Sequence, residues 1–215
     1  MKHLDETEQA KALAKHIDHP LIRQNMTKLR DKNTPRIEFR RLLAEIALLM
    51  GYEIARSFET EEIKVETPLE ATTGYKLKRE VVLVPILRAG LGMLDGIISV
   101  IPDAKVGFIG LKRNETTLAS EFYYQNLPKN LKDHEVILID PMLATGGSIV
   151  TAMELLQGAE RVQLLSLVAS PQGILNVAKH YPKLNIYTAA IDRGLNEKGY
   201  ILPGLGDAGD RLFGT

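Results

Sequence analysis

Cysteine is absent from the 215 residues, and so is tryptophan. The first absence excludes disulfides and thiolate metal sites and suits a reducing compartment. The second, with aromatics at only 6%, leaves no stacking platform for single-stranded nucleic acid. Net charge is missing as well: 27 basic residues balance 27 acidic ones, so no global basic field draws in nucleic acid or an anionic membrane. No apolar run approaches the ~18 residues of a membrane span. The longest, over 81–94, is interrupted by Pro85 and Arg88. The opening MKHLDETEQAKALAKH puts acids and polar residues where a secretory leader would be apolar, so no leader is expected. Internal repeats and low-complexity tracts are lacking too. The expectation is a cytoplasmic globular protein that engages neither nucleic acid nor membrane.

What is present is ordinary in amount and informative in order. Hydrophobic residues make up 45% and charged residues 25%, enough for one domain over 1–215 with a proper core. Residues 1–60 read as a helical arm. A polar helix is predicted over 5–17, stopped by Pro20, and a long one opens at Thr34-Pro35, with Gly51 as a candidate interruption. Residues 62–66 alternate like a strand. From Glu80 the pattern becomes strand, loop, helix in succession, with apolar runs at 81–87, 106–111, 136–139, 162–169 and 184–191. Strands alternating with helices predict an α/β fold, a parallel sheet flanked by helices on both faces. The five histidines are scattered and read as surface residues rather than metal ligands.

Residues 136–148, VILIDPMLATGGS, carry the most chemistry. A short β-branched run suits a buried parallel strand. Asp140 sits at its end, Pro141 stops the ladder, and Ser148 is a candidate N-cap for the helix that follows. Unpaired N–H groups at a helix start, approached through glycines, make an anion site suited to phosphate. Since a carboxylate beside a phosphate repels it, Asp140 is read as the acceptor for sugar hydroxyls. The sequence is neither G-x-x-x-x-G-K-[ST] nor G-x-G-x-x-G. A tight strand-to-helix turn with no ligand fits this segment equally well.

Three further places are candidates. Arg88 follows a strand and precedes Ala89-Gly90-Leu91-Gly92, where a guanidinium fork can take two phosphate oxygens; the alternative is an arginine reaching solvent or Asp95. Arg113 opens the long segment 112–128, a lid or hairpin whose Tyr123 and Tyr124 either cover a ligand or fill a subunit contact. The Gly-rich end, 192–215, carries Asp207 and Asp210 and enough apolar residues to pack as an ordered hood, though its glycines and proline suit neither a regular helix nor a strand. Its backbone matches the edge of a planar neutral base; a plain wrap is the alternative.

Taken together, VETPLEATTG from Val65, PILRAGLGMLDG from Pro85, DPMLATGGS from Asp140 and LNEKGYILPGLGDAGDRLFGT at the end resemble the phosphoribosyltransferase family in its uracil branch. The resemblance spans 20–215 and implies a type I phosphoribosyltransferase-like fold. It implies transfer of 5-phosphoribosyl from 5-phospho-α-D-ribose 1-diphosphate to uracil N1, giving UMP and diphosphate. Carried over by position, Arg88, Arg113 and Asp207 together with Asp140, Pro141, Met142, Leu143, Ala144, Thr145, Gly146, Gly147 and Ser148 would hold the sugar diphosphate. Ile201, Gly206, Asp207 and Ala208 would form the uracil pocket, and Asp140, Asp207 and Arg113 would be the catalytic group. Mg²⁺ is expected to arrive with the diphosphate and to have no dedicated protein ligands. GTP activation is implied at Arg30, Asp31, Lys32, Asn33 and Thr34, and assembly into a homodimer or homotetramer is expected. Two departures stand out, Lys112 where the family commonly has tyrosine and Arg193 where an acid or small residue is usual. The rivals are an RNA-binding pyrimidine regulator on the same fold and salvage of a different nucleobase. No general base is assigned.

Overall fold

The computed structural model describes residues 5–113 and 120–215, apart from the side chain of Arg113. The first third is mostly helical: α1 (Glu6–Leu13), a short strand β1 (Ala14–His16), α2 (Pro20–Arg30) and α3 (Arg36–Ala55). The helix predicted over 5–17 therefore ends early. Residues 14–16 pair in parallel with a later strand, through Ala14↔Ile186 and His16↔Thr188, and this tertiary pairing overrides their local helical propensity. Pro20 stops no helix, since α1 has already ended at Leu13. It begins α2, with the His19 ring accepting from the Leu21 N–H at 3.2 Å, the pre-set φ of proline suiting a first turn. Gly51 does not interrupt α3, because that helix lies against α4 (Leu91–Ile98), and a side chain at 51 would meet the Ile97 backbone at 3.5 Å. Eight residues of α3, from Phe39 to Ile54, are buried, each large one contributing about 1.5–3 kcal/mol by leaving water.

Strands β2 (Thr60–Glu66) and β3 (Ala71–Leu77) form an antiparallel ribbon of their own; β3 escaped prediction because its largely exposed, polar residues show no apolar alternation. The central sheet follows: β4 (Val81–Leu87), β5 (Lys105–Val106), β6 (Phe108–Arg113), β7 (Ser120–Asn126), β8 (Glu135–Ile139), β9 (Met142–Leu143), β10 (Val162–Ala169) and β11 (Asn185–Ile191). The connecting helices are α4, α5 (Gly147–Leu155) and α6 (Pro171–His180). Among the described residues the order is β1-β11-β10-β8-β4-β6-β7, with β5 on β4 and β9 on β10, and every pairing is parallel except β6 with β7.

Both faces of this sheet are covered, as its apolar runs predicted. Along β4, Val81 and Leu83 join the core shared with α3 and α4, while Val82, Val84 and Ile86 join the core shared with α5 and α6. The chain leaves β4 toward β6 on one side and leaves β8 toward β10 on the other. The strand order thus reverses between β4 and β8, and such a switch point opens a crevice at the carboxyl ends of the two strands.

The Gly-rich end is more regular than expected. It holds β12 (Gly194–Leu195) paired with β13 (Ile201–Leu202), then α7 (Ala208–Phe213). Ile201, Leu205, Ala208 and Leu212 are buried in the α3 core, so burial rather than propensity orders this segment. His134 also departs from the surface reading. It is 8% exposed, with Nδ1 3.0 Å from the Asn130 carbonyl and Nε2 3.3 Å from Glu80.

Candidate active site

Two strand ends define the crevice. Asp140 follows β8, and Arg88 follows β4. The Asp140 N–H still donates to Leu165 at 3.1 Å, so its backbone is fixed by the sheet. Its Oδ1 accepts from the Met142 N–H at 3.2 Å, which folds the loop back. Pro141 interrupts the ladder only briefly, since β9 resumes pairing with β10 through Met142↔Val168. Behind the loop, Ser170 donates to the Ala144 carbonyl at 2.6 Å and Asn176 to the Thr145 carbonyl at 2.8 Å. With those carbonyls held from the α6 side, the helix start is left facing the crevice.

Helix α5 begins at Gly147, one residue before the predicted cap. Gly146 occupies the N-cap position with φ 83° and has no side chain to cap the helix, and the Gly147 N–H makes only a long bond, 3.5 Å, to the Thr145 hydroxyl. The Ser148 hydroxyl instead lies 3.0 Å from that of Ser120, at the start of β7. The first-turn N–H groups of a helix have no intrahelical acceptor, so an uncapped start is where an anion binds best. The positive φ belongs to Gly146, where a Cβ would come within 2.9 Å of the Gly173 carbonyl, whereas at Gly147 it would meet only ordinary contacts at 3.6 and 3.7 Å.

A cleft of about 600 Å³ opens over these strand ends. Arg88, Asp140, Met142, Ala144 and Ser148 line one side, and Ile201, Gly206, Asp207 and Ala208 the other. Pro141, Leu143, Thr145, Gly146 and Gly147 complete the loop behind that wall; Leu143, Thr145 and Gly146 border a small hollow of about 20 Å³ beside it. Lys112, Tyr123, Gly199 and Tyr200 also line the cleft. Tyr200 went unmarked in the sequence, and its signal was only an aromatic inside a glycine-rich stretch.

Arg88 does not turn to Asp95. Its guanidinium is 55% exposed, 4.0 Å from Asp210, 3.4 Å from the Thr215 hydroxyl and 5.7 Å from the Phe213 ring. These are loose contacts, so the fork remains available to a ligand in the cleft. Arg113 supplies backbone to β6, opposite Ser120; its side chain and residues 114–119 of the expected lid lie outside the described residues. The described part of that segment is a β-hairpin in which Lys112 pairs with Glu121 at 3.2 Å.

On the hood side, Asp207 caps α7 by accepting from the Asp210 N–H at 2.9 Å. Gly206 has φ 81°, and Asn196 organises the turn before β13 by accepting from the N–H groups of Lys198 and Tyr200 at 3.0 and 2.9 Å. Arg211 points inward, donating to the carbonyls of Leu29 at 2.7 Å, Leu205 at 2.9 Å and Asp31 at 2.6 Å, with its guanidinium 4.3 Å from the Phe39 ring. Burial pushes that guanidinium below its ordinary range, with Asp31 opposing the shift. A second hollow of about 480 Å³ lies near Lys15, Arg56 and Tyr187. There Arg56 pairs with Glu53 at 3.0 Å and Lys15 donates to the Tyr187 hydroxyl at 3.0 Å, and none of the site residues read from the sequence lines it.

Comparison with known proteins agrees with this geometry. Residues 16–215 match the family model described as uracil phosphoribosyltransferase. A uracil phosphoribosyltransferase of Clostridioides difficile is 50% identical over 201 residues, covering 92% of this chain and 96% of that protein. One from Halalkalibacterium halodurans is 53% identical over 201 residues, with the same 92% and 96% coverage. A solved structure from Aquifex aeolicus superposes with a TM-score of 0.88 at 40% identity, covering 92% of this chain and 96% of that one. The chain belongs to the uracil phosphoribosyltransferase family.

Proposed function

We propose that the cleft at the switch point transfers 5-phosphoribosyl from 5-phospho-α-D-ribose 1-diphosphate to N1 of uracil, yielding UMP and diphosphate. One observation carries the reading: an uncapped helix start with Asp140 beside it faces Gly206, Asp207 and Ala208 across a single cleft. The 5-phosphate sits on the first-turn N–H groups of α5, and Asp140 accepts from the ribose hydroxyls. As the C1′–oxygen bond breaks, its electron pair leaves with the diphosphate and positive charge builds on the sugar. Arg88 stabilises the departing charge because its fork is preset and always cationic. Arg113 shares that role by its position at the end of β6. The uracil N1 lone pair then closes the new bond to C1′ and the N1 proton is released.

Among the described residues there is no cluster of three or more histidine or acidic side chains that could cage a metal. Mg²⁺ bound to phosphates keeps several waters and takes few protein ligands, so it would be held through the substrate diphosphate, with Asp140 and Asp207 on the cleft walls facing its water shell rather than ligating it. When bound, it neutralises charge on the leaving diphosphate.

The base is selected by the hood. Backbone groups around Gly206 can meet the carbonyl and N–H edge of uracil, and the nearby Arg211 cation is already occupied by three carbonyls, leaving nothing there for the carboxylate of orotate. Neutral overall charge and the match to enzymes disfavour the RNA-binding regulator. We also read the turn at Asp31, Lys32, Asn33 and Thr34 as the place where GTP acts, with Arg30 beside it turned inward. The protein works as a dimer or tetramer in the cytoplasm, since its phosphorylated substrate does not cross a membrane unaided. No helix among the described residues is long and apolar enough to span one.

The test is incubation of the purified protein with radiolabelled uracil, the sugar diphosphate and Mg²⁺, with and without GTP. Labelled UMP is expected, and GTP should raise the rate. Cytosine should react at least ~10⁴-fold less well, because its amino donor would face a buried donor. Comparable turnover of cytosine or hypoxanthine would remove the uracil assignment.

A further inference from the structure

The base-facing loop is fastened to the first third of the chain by an ion pair whose Asp192 side chain is 7% and whose Arg30 side chain is 24% exposed, and neither residue lines the cleft. Arg30, the last residue of α2, sends both terminal nitrogens to Asp192, Nη1 to Oδ2 at 2.8 Å and Nη2 to Oδ1 at 2.7 Å. The same Nη1 donates to the Gly204 carbonyl at 2.8 Å. Asp192 Oδ2 in turn accepts from the Gly204 N–H at 2.8 Å. Gly204 is therefore gripped at both backbone polar groups by the two halves of one pair. It stands between Ile201 and the Gly206-Asp207-Ala208 segment. Its φ of 60° places a would-be Cβ 2.2 Å from the Ile201 carbonyl, so the turn leaves no room for another residue type. Asp192 is 8% exposed.

A charge pair withdrawn from water is an inefficient way to gain stability, since apolar residues of the same volume commonly do as well. A two-pronged Arg–carboxylate contact does offer fixed geometry. We propose that Arg30 and Asp192 are positioning residues that set where the 201–208 loop stands relative to the cleft, and thereby set affinity for the base more strongly than affinity for the sugar diphosphate, which that loop meets only through Asp207. The inference rests on uracil being the base held by that loop. Neither residue lines the cleft, so any effect on catalysis must pass through the loop.

Two variants test this. Asp192→Asn keeps the shape and an acceptor for Gly204 but loses the charge. Arg30→Lys keeps the charge and loses the fork. For each, KM for uracil, KM for the sugar diphosphate and kcat are measured together with the thermal midpoint. Hydrogen exchange at the amides of 204–207 is followed without substrates. The expected result is a rise in uracil KM of at least ~10-fold, with a clearly smaller rise in the other KM, and faster exchange confined to the loop. If either variant unfolds, the double change Arg30→Met with Asp192→Asn removes both buried charges together. That protein should recover stability and still bind uracil poorly. A uracil KM within ~2-fold of wild type in a folded variant, or equal rises in both KM values, overturns the proposal. Failure of the functional reading itself would show in the unmodified protein, as no turnover of uracil. In that event unchanged exchange at 204–207 in the variants would still overturn the positioning role, and accelerated exchange would support it.

Discussion

At Asp140 the side chain does two things at once: it accepts from the Met142 N–H to shape the loop and faces the cleft. Asp140→Asn keeps the volume and one acceptor oxygen, so the loop should survive. What it loses is charge-assisted bonding to ribose hydroxyls, worth about 1.5–3 kcal/mol, or roughly 10–100-fold in kcat/KM. Steady-state kinetics beside a thermal melt checks this, with a midpoint within ~2 °C of wild type. Wild-type kcat/KM in the folded variant would take Asp140 out of the site. Asp140 and Arg88 were legible in the sequence because each ends an apolar strand beside a glycine-rich turn. The partners of Arg88 were not. Asp210 and Thr215 lie more than 120 residues away along the chain, and spacing cannot foretell so distant a meeting. His134 was misread because its burial comes from Asn130 and Glu80, neither of which marks it in a local pattern.

For the β8–α5 unit the two adjacent glycines divide the labour. Gly146 supplies the left-handed turn, and Gly147 lies open toward Ser120 and Thr145. Gly146→Ala should cost on the order of 1–3 kcal/mol for the strained conformation, a fall of about 2–12 °C in the melting midpoint. Gly147→Val should leave the midpoint nearly unchanged while calorimetric titration shows affinity for the sugar diphosphate falling by at least ~10-fold. Tight binding by the Gly147→Val protein would refute the phosphate cradle. The five sheet strands with strong apolar runs were readable to within a few residues, since burial on both faces writes itself as continuous hydrophobicity. Strand β1 and ribbon strand β3 were hidden, one by helix-forming residues and the other by polarity.

Viewed as one body, the molecule leaves the β2–β3 ribbon paired with no other described strand. Leu69 at its turn is 96% exposed, and Tyr75 and Leu77, toward the ribbon's other end, are exposed as well. Exposed apolar side chains on a ribbon with no other strand beside it suit a contact surface, and the expectation is that another copy of the chain covers it. Light scattering should give the mass of two or four chains, and removal of 60–77 should shift it toward one; a monomeric intact protein would refute this. The hood was recognised as ordered from its apolar content, but its docking on α2 and α3 was invisible, again because the partners are remote in sequence. That remoteness has a consequence for biogenesis. Arg30 and Asp192 are separated by 162 positions, and Arg211 meets Leu29 across 182. At about 5–20 residues per second, α2 leaves the ribosome many seconds before the segment that completes the cleft exists. Until residues 192–215 are made, the nascent chain lacks one wall of the cleft, and the α3 surface that will receive them is uncovered. The protein therefore completes its cleft only once residues 192–215 have been made, and its need for chaperoning should be concentrated in the interval before that.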